Sequence, residues 1–174
     1  MACALLTMIL AFDTYYFNNK AKTVCLQFND WADKDDYQIY SETLACIEEY
    51  IPGEFYKREL PCILSLFAKI DTENLEAIIV DGYVFLDDDG KPGLGAHLYN
   101  AIDGKCPVIG VAKSNFATLD RQKRQVCRGN SKNPLFLTSI GIDTDIAALH
   151  IKNMNGQFRI PYLLKELDKL TKQV

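Results

Sequence analysis

Ile78-Ile79-Val80-Asp81-Gly82 is an apolar run that stops at a carboxylate and a glycine, and it reads as a short buried strand ending in a turn. An Asp-Gly turn closing a core strand would account for these residues without any chemistry. A second stretch ends the same way: Leu5-Leu6-Thr7-Met8-Ile9-Leu10-Ala11-Phe12 runs into Asp13. Two strands that each deliver an aspartate where the apolar signal stops imply that the carboxylates converge on the crevice bordering strand ends in an α/β sheet. Carboxylates brought together repel and resist ionising, so they call for a cation. An all-oxygen donor set suits magnesium, with manganese as a substitute.

The chain has 174 residues, 48% of them hydrophobic, which fits one domain over residues 1–174 with a single substantial core. A net charge of -4 excludes a generally basic nucleic-acid coat, though not a local basic surface. The six cysteines contain no Cys-x-x-Cys pair and no histidine at zinc-site spacing, so neither a zinc module nor a disulfide scaffold is indicated. A reducing, cytoplasmic setting is the simplest fit. The apolar start lacks a basic leader and reads as the first strand, and no stretch reaches the roughly 20 apolar residues that a bilayer span needs.

Asn18-Asn19-Lys20 separates apolar runs at 4–17 and 21–29, which predicts an antiparallel hairpin with Asp13 on a central strand. An aspartate-rich loop from Trp31 to Asp36 follows, and the mixed pattern over 37–47 favours a strand over a helix. Pro52-Gly53 forces a turn among Tyr50, Phe55 and Tyr56; these aromatics can either stack on bases or cover the core. Pro61 suits the first position of a helix carrying Ile63, Leu64, Phe67 and Ile70, which would place Glu59 just before that helix.

After Asp81, residues 83–92 read as a loop and 93–102 as a helix, on which His97 is more simply a structural hydrogen bonder than a catalyst. Cys106 to Val111 reads as another strand, with Lys113 emerging at its end where it can stabilise developing phosphate charge. From Lys113 to Lys132 the local charge turns positive, through Arg121, Lys123, Arg124, Arg128 and Lys132. That segment is either a phosphodiester-facing flank or a solvated loop. Leu135-Phe136-Leu137 reads as the last strand. Asp143 and Asp145 open a helix that Gly156 ends, and Pro161 starts the terminal helix.

Taken together these stretches resemble the endonuclease V family, ribonuclease H-like nucleases that recognise deoxyinosine or inosine. The resemblance rests on Asp13, Tyr50-Ile51-Pro52-Gly53, Arg58-Glu59, Val80-Asp81-Gly82, Gly93-x-x-Ala96-His97, Val108 to Lys113, Asn133-Pro134-Leu135-Phe136 and Arg159-Ile160-Pro161. It implies an α/β fold with a mixed sheet, antiparallel strands first and parallel strands after, flanked by helices. It further implies a magnesium-dependent endonuclease, monomeric and not membrane-bound, acting on DNA or RNA that contains deoxyinosine or inosine.

By the same resemblance Asp13 and Asp81 ligate the metal, Glu59 helps bind it or orients the attacking water, and Lys113 faces the scissile phosphate. Tyr50 is the wedge replacing an extruded base, and Pro52, Gly53, Arg58, Gly82 and His97 lie on the substrate side. The family's Asp-Gly-His-Gly loop is here Asp81-Gly82-Tyr83-Val84, and its late histidine is missing, with Asp143 or Asp145 as the substitute carboxylate. The alternative is a non-catalytic nucleic-acid or nucleotide-binding module that keeps the fold.

Overall fold

The computed structural model describes residues 7–45, 49, 51–116 and 118–174. Its elements run β1 (Met8–Phe17), β2 (Lys20–Phe28), β3 (Gln38–Ala45), α1 (Tyr56–Phe67), β4 (Leu75–Asp81), α2 (Leu94–Ala101), β5 (Val108–Ala112), β6 (Arg124–Val126), β7 (Leu135–Ile140), α3 (Thr144–Asn153) and α4 (Tyr162–Thr171). The described strands form one seven-stranded sheet in the order β3-β2-β1-β4-β5-β7-β6. β1, β2 and β3 pair antiparallel, β4 runs parallel to both β1 and β5, and β7 is antiparallel to β5 and β6. This is the mixed sheet expected of a ribonuclease H-like fold.

Asn18 and Asn19 take φ of 44° and 57°, the left-handed pair that a two-residue hairpin turn demands, and they set Phe17 opposite Lys20. Alternation along the strands then sorts the core into two layers. Leu10, Phe12, Ile78 and Val80 pack with Ile63 and Leu66 of α1 and Leu98 of α2. Ile9, Ala11, Ile79, Ile109 and Val111 pack on the other face with Ile151 of α3 and Leu163 and Leu167 of α4.

Four points of the sequence reading need correction. Pro61 is inside α1 and does not start it. The first turn is wound by i,i+3 bonds from Lys57 N to Glu54 O and from Arg58 N to Phe55 O, and Pro61, sixth in the helix, gives up the bond its N–H would have made to the carbonyl of Lys57. Glu59 therefore belongs to the first turn of the helix, where the sequence reading put it ahead of one. β6 went unread because three residues are too few to show a period. Gly156 lies beyond the end of α3, which is closed at Met154.

Candidate active site

Phe12 of β1 lies opposite Val80 of β4, so Asp13 and Asp81 follow at the same level on neighbouring strands. Asp81 in turn lies opposite Val111 of β5, and Lys113 comes two residues later. The two-residue period points Asp13, Asp81 and Lys113 to the face covered by α4. There they meet Asp168, and all four line a pocket of about 30 Å³, room for a water or a small ion. Lys113 Nζ stands 3.8 Å from an Asp81 oxygen and 3.8 Å from an Asp168 oxygen.

Burial first, and then the charge of Asp81, push the pKa of Asp13 up to about 6, against the pull of a 2.9 Å hydrogen bond from the Thr171 hydroxyl. Asp81 lines the same pocket with its side chain about half exposed, and the desolvation it does undergo raises its pKa despite Lys113. Glu59 comes from α1 on the opposite face and is only 3% exposed. Burial, followed by the charges of Asp13 and Asp81, holds its pKa well above the ordinary carboxylate range. All three carboxyl groups are thus shifted in the same direction, toward the protonated form.

The turn after Asp81 is held by close backbone contact. Gly82 takes φ +114° and donates its N–H to Val111 O. A Cβ on Gly110 would lie 2.6 Å from Gly82 O and 2.8 Å from Thr138 Oγ1, the oxygen that accepts Val84 N–H. Glycine at 110 therefore lets β5 press directly on this turn. The rest of the loop is fastened to residues 114–122. The Tyr83 hydroxyl donates to Ser114 O, and an Asp88 oxygen accepts the N–H groups of Asp120, Arg121 and Gln122.

Other residues singled out in the sequence lie at the same end of the sheet. Ile51 to Glu54 form a tight turn closed by Glu54 N to Ile51 O, with Pro52 and Gly53 (φ +82°) at its corners, immediately before α1. Arg58 lays its guanidinium 4.0 Å from the centre of the Tyr16 ring. His97 stacks on Tyr56 at 3.7 Å between ring centres, and burial lowers its pKa. Tyr50, the expected wedge, lies outside the described residues.

Asp143 and Asp145 are not part of the cluster. β7 runs antiparallel to β5 and pairs Ile140 with Val108, which carries the chain to the far end of the sheet before α3 begins. There Asp143 caps α3 by accepting from the N–H groups of Asp145 and Ile146, and Asp145 takes the Arg124 guanidinium at 2.6 Å. The late carboxylate at the site is Asp168. The available signal was that Asp168 shares a face of the terminal helix with Leu164 and Thr171, at the margin of its apolar stripe.

Much of the basic segment is also structural. Lys123 is buried and bonds to Asn115 and Leu119 O, and Arg128 turns inward onto backbone carbonyls.

Among the described residues no three His, Cys, Asp or Glu side chains stand close enough to hold a metal ion as they are set. Glu59 approaches from the face opposite the aspartates, and the Lys113 ammonium lies between Asp81 and Asp168. The donor chemistry nonetheless fits a hard divalent cation. The donors are all carboxylates beside an ion-sized pocket, and the pKa values of Asp13, Asp81 and Glu59 are raised by a burial that a cation would offset.

Solved structures share this fold. The Ciona intestinalis endonuclease V in complex with a 24mer DNA containing an inosine followed by a ribo-adenosine superposes with a TM-score of 0.77 at 16% identity, covering 98% of this chain and 87% of that one. The Streptomyces avermitilis endonuclease V gives 0.71 at 20% identity over 97% and 81% of the two chains, and human ENDOV gives 0.71 at 19% over 97% and 84%. At such identities the likeness speaks for the fold. No curated protein matches in sequence. The family model for Endonuclease V matches residues 4–143, most of the chain and every acid discussed above except Asp145 and Asp168, so the chain belongs to the endonuclease V family.

Proposed function

We propose that the chain is a magnesium-dependent endonuclease, with manganese as a substitute, that hydrolyses phosphodiester bonds near deoxyinosine or inosine in DNA or RNA, in nucleic-acid repair or inosine-RNA processing in the cytoplasm. Asp13 and Asp81 would hold the ion, with Glu59 helping to bind it or orienting the attacking water, and Asp168 would take the part first assigned to Asp143 or Asp145. The ion, when bound, lowers the pKa of water and neutralises phosphoryl charge. Lys113, which already bridges two carboxylates, exchanges them for a non-bridging phosphate oxygen. Attack of water on phosphorus breaks one P–O bond and leaves a phosphate monoester on one fragment and a hydroxyl on the other.

On the substrate side, Tyr50 with the Pro52-Gly53 turn forms the wedge. Arg58, Gly82 and His97 border the strand.

The observation supporting this reading is the convergence of Asp13, Asp81, Lys113 and Asp168 on one pocket. The test is nicking of labelled single- and double-stranded oligonucleotides that carry one inosine. Product should require magnesium and vanish in Asp81→Ala, and cleavage that survives either condition overturns the assignment.

The Lys113 bridge and the wide setting of the acids also fit a binding module without turnover. That second reading predicts salt-sensitive association and no product in magnesium or manganese.

A further inference from the structure

Ile160 and Asp168 line both the acid pocket and a neighbouring cleft of about 910 Å³. Three lysines border that cleft, Lys34 from the segment between β2 and β3 and Lys165 and Lys169 from α4. The two acids along the same wall are paired, Glu166 with Lys169 itself at 3.5 Å and Asp168 with Lys172 at 2.8 Å, so in a chain of net charge -4 the positive charge of the cleft comes from Lys34 and Lys165.

Phe158 stands over the cleft 65% exposed, with Lys165 Nζ 5.7 Å from the centre of its ring. An aromatic so placed adds little to the core, yet its backbone is firmly held. Arg128, 5% exposed, directs its guanidinium into the loop that carries Phe158 and bonds to the carbonyls of Lys152, Met154, Gly156, Phe158 and Arg159. A Cβ on Gly129 would fall 2.1 Å from Gln157 O, so the chain beside Arg128 presses on the same loop. The ring is therefore presented to solvent on a rigid mount, as a stacking platform requires.

We propose that this cleft is the channel for an unpaired stretch of the nucleic-acid strand next to the cleavage site, its phosphates on Lys34 and Lys165 and one base stacked on Phe158. A base inside a duplex has both faces covered, so only an unstacked base gains from the ring. The channel rests on the nuclease reading for what lies at its inner end; its binding role is measured separately.

The experiment is fluorescence anisotropy on the full chain, using labelled single-stranded DNA and RNA oligonucleotides without inosine and their matching duplexes, beside the nicking assay. Phe158→Ala should weaken single-strand binding by at least about fivefold and leave duplex binding unchanged, while Phe158→Trp keeps wild-type affinity. Lys34→Ala combined with Lys165→Ala should lower the slope of log affinity against log salt by about 1.4, two phosphate contacts on a single strand. Wild-type affinity in both variants, or an equal loss on duplex, overturns the channel. If the wild-type chain cleaves nothing while Phe158→Ala still costs single-strand affinity, the nuclease reading falls and the channel stands. Normal cleavage with unchanged binding in every variant removes the channel alone.

Discussion

The hydroxyl of Thr171 donates to Asp13 Oδ2 at 2.9 Å, tying the last turn of α4 to β1 inside the sheet. Thr171 is fully buried, and its bond favours the charged form of Asp13 against the desolvation around it. Thr171→Val should therefore raise the pKa of Asp13 further above its value of about 6 in the metal-free protein. Carboxyl chemical shifts followed by NMR through a pH titration check this, with Thr171→Ser expected to restore the wild-type curve.

The raised pKa also makes stability depend on pH. Asp13 titrates near 6 when folded and at its ordinary 3.8 when unfolded, so the folded state prefers the protonated form. Its contribution becomes less favourable as pH rises from about 4 to about 6, and the deficit is complete above that, on the order of 3 kcal/mol for a shift of this size. Asp13→Asn should stabilise the metal-free chain at pH 7.5 and lose most of that advantage at pH 4, as urea unfolding in the presence of a chelator would measure. Added magnesium should narrow the difference at the higher pH.

Asp168 and Asp143 make a contrasting pair. Asp168→Asn should lower the rate of inosine-dependent cleavage by about a hundredfold or more at little cost in stability. Asp143→Ala should leave cleavage intact and cost about 1 kcal/mol, because it removes the cap of α3. Nicking rates and thermal melts on the two proteins separate the roles, and the opposite pattern would return the late carboxylate to Asp143.

Gly110→Ala drives a methyl group to within 2.6 Å of Gly82 O, a backbone atom that can yield only if the turn after Asp81 moves. Destabilisation of about 1–3 kcal/mol is expected, together with a loss of cleavage larger than the loss of folded protein accounts for. Denaturant curves beside nicking rates under conditions where the variant is fully folded provide the measurement.

Arg128→Met leaves the carbonyls of Met154, Gly156 and Phe158 without their buried donor. A cost of about 3 kcal/mol is expected, with Arg128→Lys only partly restoring stability because an ammonium cannot reproduce the planar fork. Hydrogen exchange confined to residues 152–160 would locate the damage.

What was legible in the chain, and what was not, follows from the range of the forces involved. The Asn18-Asn19 turn and the apolar run before Asp81 are local signals, and the hairpin and the end of β4 lie where those signals put them; Asp13 instead lies inside β1, which runs on to Phe17 although its apolar run stops at Phe12. Pro61 misled because a proline preference for first turns cannot tell the first position from one tolerated later, and Tyr56 begins the helix instead. Asp168 was hidden for a different reason. An acid on an amphipathic helix declares its role only once the packing of α4 against β1 and β2 is known. Asp143 was overread because sequence distance carries no direction, and the reversal at β7 takes it away from the other acids.

The pocket draws one carboxylate from each of β1, β4 and α4, so Asp168 is supplied by a helix packed on the sheet and not by the sheet itself. Loosening α4 alone would therefore take from Asp13, in one movement, both the hydroxyl of Thr171 and the neighbouring carboxylate of Asp168, while the sheet that carries Asp13 and Asp81 stays paired.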